Sequence, residues 1–491
     1  MNFLNDIGIG TITIGLIYII NVILIIAVIF FERKSSTATF AWILMLAFVP
    51  VIGFFVYILI NQNWARYQIN KMTSDEETVF EDVLDYQIEN LPSFGALNKD
   101  EDISKWIPLI KLNQIYGQGL FLPGNDVDII TDGRDFLDTI KDEIRNANES
   151  INLEFFIMKW DHVGKEIIYL LTEKAKEGVE VRLLLDSQGS RQINNVKLKD
   201  YLDAGGKIGY FFQPKLHKLG IKFDSKLNYR NHRKIAIFDD KTAYTGGFNL
   251  AKEYIGEKEK FGYWRDTFIK ISGNGVLPLK QRFVLDWRFT TKEQIKIIDE
   301  SVNLRLDNNG PSVQIVSCGP EDPKEEVKRA FMKMITFADE SIYIQTPYFV
   351  PDQSILESLK MACLSGVNVN IMIPSIPDHI FVYWASYSFI GELLRDGAKV
   401  YIYDKGFLHA KTIVCDSEVS SIGSTNFDIR SFRLNFETNA FVYGKEFATK
   451  AEEAFKNDIK DCHELTYDEY KKRGKIIKIK EAISRLFSEF L

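Results

Sequence analysis

The chain has 491 residues, enough for two or three domains of ordinary size with ample apolar surface to bury. Charged residues make up 26% of it and the mean hydropathy is −0.10, which excludes a protein embedded wholly in a membrane. A formal net charge of −7 argues against a protein that wraps nucleic acid by bulk electrostatics.

Residues 7–31 carry no charge, Glu32-Arg33-Lys34 interrupts, and residues 39–60 are again uncharged. Each stretch is long enough to cross a hydrocarbon core, so residues 1–62 read as a transmembrane helical hairpin with both termini on one side. A cleaved signal peptide does not fit: no basic segment precedes the first stretch, the stretch is too long, and a second follows. Loop charges barely orient the hairpin, with Arg33 and Lys34 on one side against Arg66 and Lys71 on the other. The four cysteines (Cys318, Cys363, Cys415, Cys462) lack C-x-x-C spacing and read as reduced residues of an intracellular part. The expectation is a cell-membrane protein of two spans with cytoplasmic catalytic domains.

Residues 63–115 form a juxtamembrane connector whose acid-rich run, 75–89, reads as a solvated helix face. Beyond it, helix-like and strand-like segments alternate twice. The first half predicts helices at 133–148 and 165–176 and strands at 150–159 and 179–185. The second predicts helices at 325–338 and 353–364 and strands at 341–350 and 367–373. Glu149-Ser150-Ile151 and Glu340-Ser341-Ile342 mark equivalent strand starts, and Asn308-Asn309-Gly310-Pro311 is turn chemistry at the seam. The fold class is therefore α/β: two tandem domains of one kind, 116–307 and 308–474, with helix-covered sheets related by a pseudo-two-fold axis.

Lys215 to Lys234 holds seven basic residues against Asp224, suiting an anionic headgroup surface or a solvated loop. Residues 381–390 are aromatic at helical spacing, which favours core packing over an acyl-chain groove. The tail, 475–491, is basic and amphipathic, with Ile479, Ile483, Leu486, Phe487 and Phe490 on one stripe. It fits an interfacial helix or docking on the second domain.

The strongest signal is a doubled frame. His232-Arg233-Lys234, then Asp239, recurs 177 residues later as His409-Ala410-Lys411, then Asp416. Each copy is followed, 17 residues after its His, by an asparagine in a glycine-led turn: Gly246-Gly247-Phe248-Asn249 and Gly423-Ser424-Thr425-Asn426. If residues 232–238 form a strand, His232 and Lys234 share a face and Asp239 falls in the following turn, which favours a structural or pairing role for it. One half supplies one imidazole; pairing the halves brings two His, two Lys and two Asn into one cleft. That inventory suits phosphodiester chemistry without a metal. One neutral imidazole attacks phosphorus, the other protonates the leaving alkoxide, and ammonium and amide groups neutralise the non-bridging oxygens. Carboxylates to orient the imidazoles are Asp266, 34 residues after His232, and Glu437, 28 after His409. No metal-ligand spacing is present.

These frames resemble the phospholipase D superfamily, and within it bacterial cardiolipin synthases of the two-transmembrane-helix type. Glu154-Phe155, Trp160-Asp161-His162-Val163-Gly164, Gln345-Thr346-Pro347-Tyr348-Phe349 and the run from Ser424 to Glu437 carry the likeness beyond the frames. The resemblance implies two phospholipase-D-like domains and a membrane-bound enzyme joining two phosphatidylglycerols into cardiolipin with release of glycerol, without a cofactor. It implies catalytic roles for His232, Lys234, Asp239, His409, Lys411 and Asp416, and a covalent link on His232. Asn249, Asn426 and Ser424 are the implied phosphate contacts, although Gly247 stands opposite Ser424 in the first half. Phosphatidylglycerol and cardiolipin are then the partners, and nucleic acid is not. A hydrolase of the same chemistry, or a transferase using another alcohol, is the alternative; a catalytically dead scaffold conflicts with retention of every frame position.

Overall fold

A computed structural model describes residues 9–30, 36–60, 72–95, 103–213, 229–297, 310–321 and 324–488. Helix α1, Ile9–Phe30, runs for 22 residues without a charge. The expected second span is not one helix. It is divided into α2, Ser36–Phe48, and α3, Pro50–Ile60. Pro50 has no N–H to give the Leu46 carbonyl one turn back, and the chain folds over at that point. The rings of Trp42 and Tyr57 meet at 5.1 Å, whereas fifteen residues of straight helix would separate them by about 22 Å. A Cβ on Gly53 would lie 2.6 Å from the Met45 carbonyl oxygen, so only glycine permits this return. The Asn21 amide of α1 donates to the carbonyls of Leu46 (3.2 Å) and Pro50 (2.8 Å), satisfying backbone that the break exposes. Among the residues whose side chains are described, which in α1 begin at Ile14, no helix is long and apolar enough to cross a membrane. Two continuous spans thus give way to one long apolar helix and a folded-back pair. The acid-rich connector is helical over Ser74–Gly95. Most of the basic run, 214–228, lies outside the described residues, as do Asn308 and Asn309 of the seam.

The remainder is built twice from one plan. The first half contributes β1 (Asn125–Asp132), β2 (Ser150–Phe155), β3 (Glu180–Asp186), β4 (Lys207–Phe211), β5 (Arg230–Asn231), β6 (Ile235–Phe238), β7 (Thr242–Gly246) and β8 (Tyr263–Gly273). The second contributes β9 (Ser312–Cys318), β10 (Ser341–Gln345), β11 (Phe349–Val350), β12 (Asn368–Pro374), β13 (Lys399–Tyr403), β14 (Gly406–Leu408), β15 (Thr412–Cys415), β16 (Val419–Gly423), β17 (Phe427–Asp428), β18 (Asn435–Tyr443) and β19 (Cys462–Glu464). The first sheet runs β1-β8-β7-β6-β2-β3-β4, and the second repeats that order as β9-β18-β16-β15-β10-β12-β13, with β19 added at the edge. Period-2 alternation assigns the faces. Ile235 and Ile237 of β6 enter a core that also holds Val313, Ile315, Ala440 and Val442 of the other half. Ala236 and Phe238 turn instead to the outer layer under Phe136–Ile144 and Val163–Leu171. The inner faces of the two sheets therefore share one core, while each outer face has its own helices. A partly buried ion pair crosses the halves, Arg265 to Asp458 at 2.8 Å.

The frame aspartates shape this fold. Asp239-Asp240 and Asp416-Ser417 all have φ near +50°, the pair of left-handed residues at the centre of a type I′ turn, which Asp tolerates better than most residues. From there the Asp239 carboxylate accepts the N–H groups of Asn148 (2.9 Å), Glu149 (2.7 Å) and Ser150 (2.9 Å) at the start of β2. Asp416 accepts those of Asp339 (2.9 Å), Glu340 (2.9 Å) and Ser341 (2.8 Å) and pairs with Lys105. Burial opposes ionisation of both carboxyls, but these donors outweigh it and hold both below the ordinary range. A depressed carboxyl stabilises the fold above the unfolded value and loses that contribution as pH falls through the folded one. Asp239→Ala and Asp416→Ala should each cost about 1–3 kcal/mol, read as a lower Tm at pH 7, with the gap to wild type closing in acid. An unchanged Tm would remove the capping role.

Candidate active site

The two imidazoles are positioned by strands exchanged between the halves. β5 pairs in parallel with β18, and β14 pairs in parallel with β8. Consequently the His232 N–H donates to the Phe436 carbonyl (2.9 Å) and the His409 N–H to that of Arg265 (2.6 Å). The next residue in each acceptor strand is a carboxylate. His232 Nδ1 lies 3.0 Å from Glu437 Oε1, and His409 Nδ1 lies 2.5 Å from Asp266 Oδ2. Both proposed orienting carboxylates thus meet an imidazole, but each serves the histidine of the opposite half. With Nδ1–H given to a carboxylate, Nε2 is the free nitrogen of each ring. Both rings line one cavity of about 430 Å³, together with Asn249, Asn426, Arg230 and Arg430. His232–Lys234 precede β6 rather than forming part of it.

Burial lowers both imidazole pKa values. For His232 the Glu437 carboxylate opposes that effect before Lys234 reinforces it. For His409 the Lys411 ammonium acts next, bringing the value to about 4 against the pull of Asp266. The charged form of each ring is therefore disfavoured where it stands. Burial likewise brings Lys234 down to about 7 and Lys411 to about 8, although carboxylates of both halves oppose it.

The lysines stand behind the imidazoles instead of lining the cavity. Lys234 Nζ donates to the carbonyl of His232 at 2.5 Å, and Lys411 Nζ contacts both the carbonyl and, at 2.8 Å, the Nδ1 of His409. Lys411 thus touches its imidazole directly, whereas Lys234 reaches the His232 backbone and lies over the Phe156 ring. Asn249 lines the cavity with both ends engaged, accepting from the Ile157 N–H and donating to the Tyr254 hydroxyl. Asn426 also lines it, and its Oδ1 has no hydrogen-bond partner among the described residues. Ser424 is turned away: its hydroxyl accepts from the Thr438 N–H at 3.0 Å and supports Glu437. Gly247 explains its own asymmetry, because a Cβ there would fall 1.9 Å from Asp266 Oδ1. Asp239 and Asp416 sit in the hairpin turns and are not among the cavity-lining residues. Among the described residues no group of three or more His, Cys, Asp or Glu is arranged to hold a metal ion.

The profile of the family described as cardiolipin synthase, phospholipase-D-like domain, matches residues 140–260 and 331–459, and a phospholipase D-nuclease N-terminal profile matches 19–60. The chain is 44% identical to the major cardiolipin synthase ClsA of Bacillus subtilis over 99% of this chain and 100% of that one. It is 41% identical to a cardiolipin synthase of Staphylococcus aureus over 99% and 97%. The chain belongs to the phospholipase-D-like cardiolipin synthase family. That family is one of phosphatidyltransferases. Among solved structures, a phosphatidylserine synthase from Haemophilus influenzae matches 78% of this chain and all of its own with a TM-score of 0.60 at 15% identity, which is a likeness of fold.

In this cardiolipin synthase family member the cavity is also lined by Arg230, which the sequence placed in a basic run suited to anionic headgroups, by Tyr348, Asp428 and Arg430, quoted for the resemblance without a role, and by Asp378, which sequence reasoning passed over. Arg430 lies inside the run quoted for the resemblance, so that segment was marked without its cation being assigned. Burial, with Glu437 nearby, lifts the Asp428 carboxyl to about 6 despite hydrogen bonds from Ser431. Arg233, whose counterpart is Ala410, is fully buried and reaches Asp286 (2.8 Å) and the Glu437 carbonyl (3.2 Å), bracing one carboxylate strand only.

Two outcomes follow from this geometry. Glu437→Gln and Asp266→Asn should each lower turnover by about 10²–10⁴-fold; wild-type rates in either would remove that carboxylate from the site's operation. Turnover should also decline as pH rises through about 7 to 8, where the two lysines shed their protons. A pH–rate profile flat to pH 10 would show that neither ammonium titrates.

Proposed function

We propose that the chain is a membrane-bound cardiolipin synthase that moves a phosphatidyl group from one phosphatidylglycerol to another through a phosphohistidine. The observation that carries this reading is that His232 and His409, each backed by a carboxylate from the opposite half, line one cavity beside Arg230 and Arg430. His232, the nucleophile that the resemblance favours, attacks phosphorus through Nε2. The bond from phosphorus to the glycerol oxygen breaks, and protonated His409 supplies the proton that leaves with glycerol. In the second step neutral His409 takes a proton from the hydroxyl of the incoming phosphatidylglycerol. That oxygen attacks phosphorus and the P–N bond breaks, regenerating His232. Binding a phosphodiester anion raises the pKa of both rings, which is how one of two neutral imidazoles gains the required proton.

Membrane attachment rests on the N-terminal helices. At 1.5 Å per residue, the 22 residues of α1 extend about 33 Å against a hydrocarbon core of about 30 Å. The α2–α3 pair, whose apex meets Asn21 near the middle of α1, enters to partial depth and returns. The N-terminus and the catalytic domains then lie on opposite faces. The free cysteines favour a cytoplasmic position for the domains.

Purified protein given phosphatidylglycerol labelled in its headgroup should yield cardiolipin and free glycerol in equal amounts, with no added divalent metal or CTP. His232→Ala and His409→Ala should each abolish this, and phosphohistidine should map to His232. Phosphatidic acid as the sole product would make the enzyme a hydrolase, the alternative in which water displaces the lipid alcohol at the second step.

A further inference from the structure

The C-terminal helix Lys475–Leu486 docks the wrong way round for a protein in water. An amphipathic helix packed on a domain ordinarily buries its apolar stripe and exposes its polar one. Here the buried residues are Glu481 and Ser484, 3% and 2% exposed. Glu481 accepts from Arg473 Nε at 2.7 Å, and Arg485 donates to Ser388 Oγ at 3.3 Å while lying over the Phe389 ring. The apolar residues Ile476, Ile479, Ile483, Leu486 and Phe487 face outward, between 43% and 71% exposed. At 100° per residue they fall within a stripe about 100° wide.

The patch extends onto the helix Ile380–Arg395, against which the C-terminal helix packs. Ile380 and Phe381 are 65% and 54% exposed, and the rings of Phe381 and Phe487 lie 6.5 Å apart. Their neighbours His379 and Val382 line the catalytic cavity, so the ridge is continuous with its rim. Charge completes the picture. Between Lys471 and Phe487 stand Lys471, Lys472, Lys475, Lys478 and Lys480, while Glu481, the one acid there, is consumed by Arg473.

We propose that this ridge is a lipid-docking surface that inserts into the headgroup–acyl boundary of an anionic bilayer and seats the cavity rim against it. Polar attachment to the domain and apolar exposure outward are what an interfacial helix needs, and the flanking lysines complement anionic headgroups. A dimer partner would also cover apolar residues, but it gives no reason for the five lysines that flank the stripe. The inference stands on this surface and not on which lipid the cavity processes.

The test uses the full-length chain in phosphatidylglycerol-containing vesicles, with Cys363→Ser and Cys462→Ser to silence the partly exposed thiols. A fluorophore is attached at Ile476→Cys, Ile479→Cys or Ile483→Cys, with Lys478→Cys as the off-stripe control, and quenched by nitroxides carried on lipid acyl chains. Stripe positions should be quenched at least threefold more than the control, and by at least twofold less when the vesicles contain only neutral lipid. Equal quenching at stripe and control positions overturns the proposal. So does shielding from water without lipid quenching, which would assign the ridge to a second copy of the chain. Equal quenching in neutral and anionic vesicles overturns the choice of an anionic surface. No readout involves turnover, so a failure of the proposed reaction leaves this result interpretable.

Discussion

Two very short strand pairings, β5 with β18 and β14 with β8, hold the catalytic arrangement together. Each is two or three residues long, yet each fixes a histidine backbone on the opposite half and presents the following carboxylate to its ring. Neither half owns a complete imidazole–carboxylate pair. The shared core of Ile235, Ile237, Val313, Ile315, Ala440 and Val442 keeps the halves docked, so packing between sheets is what makes the chemistry possible. The symmetry is incomplete where it bears on function. Arg233 braces Glu437 but Ala410 braces nothing, and Ser424 touches the Glu437 side where Gly247 must stay bare against Asp266.

Charge balance in this closure is close to neutral before the substrate arrives. Two buried ammonium groups face two buried carboxylates, and the desolvation each suffers is offset by the others. Burial disfavours the charged form of both imidazoles, which suits a nucleophile, and Arg230 and Arg430 at the cavity wall complement an incoming anion. In the proposed reaction the phosphodiester supplies the charge that lets one ring acquire a proton, coupling substrate binding to the acid–base state of the site.

Two other parts of the chain depart from the pattern of a protein folded in water alone. The apolar N-terminal segment breaks at Pro50 and uses Asn21 to satisfy the exposed carbonyls. The C-terminal helix buries its acid and shows its isoleucines. In both, burial of polar groups and exposure of apolar ones support the proposed placement against lipid.

The sequence by itself determined the doubled plan, because it is written in local periodicity: the helix expected at 353–364 is Gln353–Leu364 to the residue, and both strand starts at Ser150 and Ser341 are where the repeated Glu-Ser-Ile places them. It also marked the two histidines that line the cavity and placed Asp239 in a turn, since period and turn chemistry are nearest-neighbour properties. Tertiary structure alone decided that the carboxylates change partners, that the lysines stand behind the rings, that Ser424 looks away from the cavity, and that Arg230 and Arg430 enter it. Those contacts join residues as far as 205 positions apart. Their geometry is set by how two sheets dock, a many-body packing outcome that no spacing along the chain encodes.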